Sequence, residues 1–278
     1  MPPTDEKLKE LGEKAKTIRE TVIRMLVAAG SGHTAGSLGM ADIFAAFYFH
    51  ILKHDPKRPD WEERDRLILS NGHICPVLYA AMAHSGYFPV EECLTLRKFG
   101  SRLQGHPERL RLPGIETTSG PLGEGLSQAA GMAYAFRMDG KENCVYCVMS
   151  DGEQDEGSTW EAVMFAGKNK LSNLTAVMDR NNIQIDGITK DVMPLEPLAD
   201  KYRAFNWNVI EVDGNDVQAF IAAIDEAKTL NEGPTLIIAH TIPGKGVHEI
   251  ENDYRWHGKA PTIEEGERFL KEISYVKS

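Results

Sequence analysis

The chain has 278 residues, 42% of them hydrophobic and 26% charged, the balance of a globular protein with one large domain or two small ones. Asp and Glu outnumber Lys and Arg by 41 to 31, a formal net charge of −10, which argues against nucleic-acid binding as the main task because a phosphate backbone needs a basic face. There is no run of 18 apolar residues, and the start MPPTDEKLKE has no apolar h-region, so neither a membrane span nor a signal peptide is expected, and the expected location is cytoplasmic.

Leu8, Leu11, Ala15, Ile18, Val22, Met25, Leu26 and Ala29 form a helical stripe over residues 7–29, with Gly30 at the C-cap. A second helix is predicted over Ala41–Lys53, rich in Phe and Ala. Arg66–Ser70 reads as a short buried strand, ended by Asn71-Gly72. Residues 74–85 read as helix, 86–120 as irregular chain, and 124–138 as a helix of small residues. Asn143–Ser150 is a continuous apolar strand. It carries Cys144 and Cys147, a C-x-x-C without the second pair that a zinc ribbon needs. Strand positions three apart face opposite ways, so these two, with Cys75 and Cys93, read as reduced structural thiols. A helix over Glu156–Leu171 and strands over Asn173–Met178 and Trp207–Val212 follow. Helix Val217–Thr229, strand Thr235–His240 and a last helix over about Thr262–Ile273 complete the pattern.

Short apolar strands alternating with longer helices predict an α/β fold, with a mostly parallel central sheet and helices on both faces. With no repeat, low-complexity stretch or Pro/Ser linker, residues 1–278 read as a single domain. In such sheets ligands bind beyond the C-terminal ends of the strands. The predicted strands are followed there by Asn71-Gly72-His73, by Asp151-Gly152, by Asp179-Arg180-Asn181-Asn182-Ile183, and by Gly244-Lys245-Gly246 with His248 and His257. Asp151 and Asn181 stand just past strands expected to be neighbours. Hard oxygen ligands of this kind suit Mg²⁺, which completes its shell with phosphate oxygens and water. Gly152 lets backbone come close to an anion. Read alone, Asp151-Gly152 is equally a turn or an N-cap.

The stretch Ser150-Asp151-Gly152, then about 28 residues, then Asn181-Asn182 resembles the thiamin diphosphate motif, with Ser150 in the place of its first glycine. Ser31-Gly-His33, Gly39-Met-Ala-Asp-Ile43, Leu69-Ser-Asn-Gly-His73, Gly105-His106-Pro107, Gly120-Pro-Leu-Gly-Glu-Gly125, Asp186-Gly187, Asp213-Gly214 and His257-Gly258 resemble transketolase signatures, in that family's order, over about residues 12–274. The resemblance is to the N-terminal, diphosphate-binding domain. It implies the thiamin diphosphate-binding fold, with thiamin diphosphate and Mg²⁺ as cofactors. Metal ligands would be Asp151, Asn181 and the carbonyl of Ile183. Cofactor contacts would come from Gly152, His73 and Asn181 at the diphosphate, from Gly120 and Leu122 at the pyrimidine end, and from His257. His33, His106 and His257 would line the substrate channel as catalytic residues, orienting sugar hydroxyls and shuttling protons.

Glu156 and Glu161 lie about one turn apart, either as a solvated acidic first turn or, by the resemblance, at a subunit interface linking two active sites; Glu156 is counted with the cofactor group. Arg97, Lys98, Arg102, Arg109 and Arg111 surround His106 and either stay solvated or attract a sugar phosphate. The family's pyrimidine-binding domain, which brings the glutamate that activates the cofactor, has no counterpart in this sequence. The resemblance therefore implies the N-terminal subunit of a split transketolase. Its partner would be a C-terminal, pyrimidine-domain subunit, in an α2β2 heterotetramer acting on sugar phosphates. The expected reaction moves a two-carbon ketol unit from a ketose phosphate to an aldose phosphate. Alternatives are a subunit of a deoxyxylulose-phosphate synthase-like enzyme, of a transketolase for an unusual sugar, or a non-catalytic cofactor-binding subunit.

Overall fold

The computed structural model describes residues 3–275. In chain order the elements are α1 (Asp5–Ala29), α2 (Ala35–Gly39), α3 (Ala41–Ala46), β1 (Arg66–Leu69), α4 (Cys75–Ser85), α5 (Glu124–Met138), β2 (Val145–Ser150), α6 (Gly157–Lys168), β3 (Leu174–Arg180), β4 (Ile183–Gln184), β5 (Gly187–Ile188), α7 (Thr189–Val192), α8 (Leu198–Ala204), β6 (Asn208–Asp213), α9 (Val217–Thr229), β7 (Thr235–His240) and α10 (Ile263–Tyr275). The main sheet runs β1-β2-β3-β7-β6, parallel throughout, so all five strands end at one edge. The register sets Ser150 opposite Asp179, which places Asp151 and Asn181 side by side just beyond β2 and β3.

Side-chain alternation along the central strands builds two cores. Val145, Cys147 and Met149 of β2 pack with Leu126, Ala129 and Ala133 of α5 and with Val163 of α6. Tyr146 and Val148 face the other way, toward a core with α1, α3, α4, α9 and α10. Helices thus cover both faces, and Cys144 and Cys147 fall on opposite sides. All four cysteines are unpaired. α1 is bounded as its sequence dictates: Thr4 Oγ1 accepts from the Lys7 N–H, and Gly30 closes the C-terminus at φ +65°.

Four stretches differ from expectation. The helix predicted over Ala41–Lys53 is shorter and preceded by the separate α2. The chain breaks at Gly39-Met40, where a Cβ on Gly39 would come within 2.9 Å of the Ile242 carbonyl oxygen. Its C-terminal part, Phe47–Ile51, widens into a π-turn as Phe47 wedges between Tyr146 and Phe220. The helix predicted from Glu156 starts at Gly157, after a 3₁₀ turn over Gly152–Asp155. The sequence pattern also missed the β4–β5 hairpin with α7 and α8, which are too short to show a period. β6 is the half-exposed sheet edge rather than a strand covered on both faces.

Candidate active site

Beyond β1, β2 and β3 lies a cleft of about 480 Å³, lined by His33, His73, His106, Gly120, Leu122, Ser150, Asp151, Gly152, Asn181, Ile183, Gln184, Ile185, Asp186 and His257. Every residue singled out above for catalysis, cofactor or metal is on this wall except Glu156. Glu156 is exposed at the N-terminus of α6, and Glu161 is exposed on the same helix. His248 sits outside the cleft in an exposed 3₁₀ turn, its N–H bonded to Glu272. His84 bonds Thr21, and His54 bonds Tyr87 and the Tyr48 carbonyl. These contacts account for both structurally.

At one end of the cleft the groups are oxygens. Asp151 is fully buried. Its Oδ2 accepts from Arg180 Nη1 at 2.9 Å, from the Asn182 N–H at 2.8 Å and from Thr189 Oγ1 at 3.4 Å. Among the described residues, its Oδ1 accepts only from the Gly152 N–H, at 2.8 Å. Burial pushes the Asp151 carboxyl up, opposed by Arg180 and the two backbone donors. Asn181 is oriented from both ends: Nδ2 donates to Asp179 at 2.6 Å, and Oδ1 accepts from the Ile183 N–H at 3.1 Å. Asp179 is pushed up to about 7, first by burial and, secondarily, by the nearby Asp151 carboxylate. Thr241 Oγ1 also donates to it.

Among the described residues no three His, Cys, Asp or Glu side chains are grouped to hold a metal ion. One carboxylate, one amide oxygen and one backbone carbonyl make a set too sparse for a cation bound by protein alone. The set fits Mg²⁺ shared with a diphosphate. Gly152 belongs to the same wall, and a Cβ there would press on the Gln184 side chain at 3.3 Å.

At the other end the groups are imidazoles. The rings of His33 and His73 are 4.8 Å apart, those of His73 and His257 5.2 Å, and those of His33 and His257 5.6 Å. Burial first, then its neighbours His257, Arg97 and His106, lowers His33 to about 4. His73 lies well below its ordinary value, mainly through burial. His257 is lowered by burial, and His106, the most exposed of the four, by partial burial and Arg97. All four rings are therefore neutral at pH 7, so each offers one donor and one acceptor. Protonated imidazole, left open by the sequence, is disfavoured by the cluster itself. His33 Nδ1 is buried without a hydrogen-bond partner, an unmet polar group at the cleft.

The basic segment around His106 is only partly free. Arg102 pairs with Glu92 at 2.5 Å and Arg111 with Glu108 at 3.3 Å. Arg97 has no carboxylate partner among the described residues. Its guanidinium lies over Gly105, where a Cβ would be 2.9 Å from Cζ, and reaches Ser31 Oγ at 3.5 Å. It is held there on a left-handed backbone, φ +61°, an uncommon conformation for a non-glycine residue. Sequence reasoning also missed Gln184 and Ile185 on the cleft wall and Arg180 behind Asp151. Arg180 directly precedes Asn181, and a cation at a buried strand end was the available signal.

The architecture and the cleft define a thiamine diphosphate-binding α/β protein. The chain belongs to the transketolase family: residues 12–273 match the transketolase, thiamine diphosphate binding domain. It is 44% identical over 255 residues to a 6-deoxy-6-sulfo-D-fructose transketolase subunit of Clostridium sp. (strain MSTE9), covering 92% of this chain and 93% of that one. It is 40% identical over 256 residues to an apulose-4-phosphate transketolase subunit of Phocaeicola vulgatus, covering 92% and 91%. The structure of transketolase from Leishmania mexicana superposes with a TM-score of 0.90 at 32% identity, covering 95% of this chain and 41% of that one. The chain thus spans about two fifths of the solved transketolase and nearly all of the two relatives described as subunits.

Proposed function

We propose that this chain is the cofactor-binding subunit of a two-chain transketolase that moves a two-carbon ketol unit between anionic sugars. The observation that carries the proposal is one cleft with two ends: the oxygen set of Asp151, Asn181 and Ile183 at one, three contacting neutral imidazoles at the other. Asp151 Oδ1, Asn181 Oδ1 and the Ile183 carbonyl would hold Mg²⁺. Gly152, His73 and Asn181 would meet the diphosphate, and Gly120 and Leu122 the pyrimidine end. Thiamin diphosphate, when bound, supplies the nucleophilic carbon and the electron sink that carry the ketol unit. His33, His106 and His257 orient substrate hydroxyls, and as neutral rings they accept a proton at one hydroxyl and return it at another.

The partner is a pyrimidine-domain subunit, in an α2β2 assembly. Coverage of the relatives supports this reading: the chain spans 93% of one described as a subunit, but 41% of a full-length enzyme. Arg97, which has no carboxylate partner among the described residues and is close enough to perturb His33 and His106, would take the anionic end of the sugar. Among the described residues no helix is long and apolar enough to cross a membrane, and the unpaired cysteines support a reducing, cytoplasmic setting.

The test is co-purification with a pyrimidine-domain partner and a ketol-transfer assay with several ketose phosphates and sulfonated ketoses. Transfer that needs both chains, Mg²⁺ and thiamin diphosphate supports the proposal. Absence of transfer with every donor would refute it.

A further inference from the structure

Glu153 follows the Asp151-Gly152 pair, is fully buried and is not on the cleft wall. Among the described residues no Arg or Lys pairs with it. Its carboxylate is instead held by three neutral donors. Ser70 Oγ donates to Oε1, the Gly123 N–H donates to Oε1 at 2.7 Å, and the Ser150 N–H donates to Oε2 at 3.2 Å. Ser70 Oγ in turn accepts the Gly125 N–H at 3.0 Å. The carboxylate thus ties residues 123 and 125, one directly and one through Ser70, to the ends of β1 and β2.

A buried carboxylate with no cation is costly to keep, and the local turn does not need it. The Glu153 backbone is already secured: its N–H donates to Ser150 Oγ at 3.3 Å, and its carbonyl accepts from Thr159 Oγ1 at 3.0 Å. What the side chain adds is the hold on the loop. That loop fits with little clearance. A Cβ on Gly125 would lie 2.3 Å from Ser70 Cβ, and one on Gly123, itself at φ +84°, would lie 2.5 Å from Ser158 Oγ. The same loop carries Gly120 and Leu122, which line the cleft, Gly120 beside the His106 ring, where a Cβ would lie 3.8 Å from it.

We infer that Glu153 is a positioning residue: it locks the 120–125 loop onto the strand ends and so fixes the cleft wall formed by Gly120 and Leu122. One 3₁₀ turn then sets two parts of the site, Asp151 at its N-cap and, through Glu153, the Gly120–Leu122 part of the wall. The inference rests on the cofactor reading above, in which that wall meets the pyrimidine half of the cofactor and not its diphosphate.

The test compares two ligands on the full chain, each with Mg²⁺ and titrated calorimetrically to millimolar concentration: thiamin diphosphate, which reaches both ends, and inorganic pyrophosphate, which reaches one. Glu153→Gln keeps the shape but turns an amide donor toward Ser150 N–H or Gly123 N–H. It should weaken thiamin diphosphate by about tenfold and leave pyrophosphate within about twofold. Amide hydrogen exchange at Gly123 and Gly125 should rise in the same variant. Ser70→Ala removes the relay to Gly125 and one of the three donors to Glu153 but keeps the direct tie to Gly123, and should show the same selective loss, smaller, so a failure of Glu153→Gln to fold still leaves a decisive measurement. A folded variant with wild-type affinity for thiamin diphosphate, or equal loss of both ligands, overturns the role of Glu153. A wild-type chain that binds neither ligand overturns the cofactor reading, and this inference with it.

Discussion

Removing the Asp151 carboxylate should destabilise the fold as well as disable the site. Asp151 is fully buried against Arg180, which is itself buried. Arg180 has one other carboxylate, Glu196 at 2.9 Å, and that group is largely exposed, so water screens it. In Asp151→Ala the guanidinium stays buried with a weak partner, and two backbone N–H groups lose their acceptor. Breaking a buried pair from one side costs about 3–5 kcal/mol. The low end applies here, because burial already disfavours the Asp151 charge. A loss of about 3 kcal/mol at an m-value of about 3 kcal/mol per M moves the urea midpoint down by about 1 M. Replacing both partners, Asp151→Ala with Arg180→Met, should recover most of that midpoint, since the unpaired charge is gone. The double variant should still fail to bind Mg²⁺ with thiamin diphosphate, which separates the metal role from the structural one. A single variant that loses less than about 1 kcal/mol, or a double variant no more stable than the single, would refute the account of Asp151 as half of a buried ion pair.

The histidine cluster makes stability acid-sensitive. His33 is held near 4 in the fold against 6.5 when free, so the unfolded chain binds the extra proton. Stability is therefore intact above pH 6.5 and falls as the pH drops toward 4, by at most about 3 kcal/mol from this residue. Urea midpoints across that range should fall less steeply in His33→Gln, and an unchanged slope would contradict the burial of a neutral ring. Arg97→Gln in the two-chain enzyme should raise KM for sugar phosphates and leave KM for an uncharged aldehyde acceptor unchanged; equal effects on both would remove Arg97 from substrate recognition. Gly125→Ala should lower stability by about 1–3 kcal/mol through its collision with Ser70, visible as a lower melting temperature. The purified chain alone should show no ketol transfer even with saturating cofactor and Mg²⁺, and turnover matching the two-chain mixture would refute the split-enzyme reading.

The sheet was legible because unbroken apolar runs such as Val145–Ser150 have few alternatives to a strand covered on both faces. The site was legible because parallel strands end together, so Asp151, Asn181 and His73 could be placed at one edge from chain order alone. Less accessible were groups whose role depends on a neighbour distant in sequence. Glu153 reads as one more acid in an acidic stretch until Ser70, 83 residues earlier, is seen donating to it. Arg102 and Arg111 read as free cations until Glu92 and Glu108 are found beside them. Glu156 was grouped with the cofactor by position; it lies at the start of α6, exposed in this chain, after the 3₁₀ turn. Short elements such as α7 and the β4–β5 hairpin leave no periodic trace, although they bring Ile183 and Gln184 to the wall.

The chain is strongly acidic, yet its cleft is built to receive anions, and the structure resolves the tension locally. Two carboxylates line the cleft: Asp186 is exposed, so water screens it, and Asp151 is tied by Oδ2 to Arg180 and the Asn182 N–H, leaving Oδ1 with a single donor among the described residues. Asp179, next to it, is pushed up to about 7 and so carries less than a full charge at neutral pH. Glu153 is turned away into the loop contact. Facing the cleft are four imidazoles that burial keeps neutral, which repel no anion and still donate a hydrogen bond each. A divalent cation at Asp151 Oδ1 would tip the balance toward binding a diphosphate, because two positive charges there outweigh one partly shared carboxylate. The affinity of the site for anions therefore depends on the metal and on local donors, and the overall charge of −10 has little bearing on a cleft whose buried acids are paired, protonated in part, or turned inward.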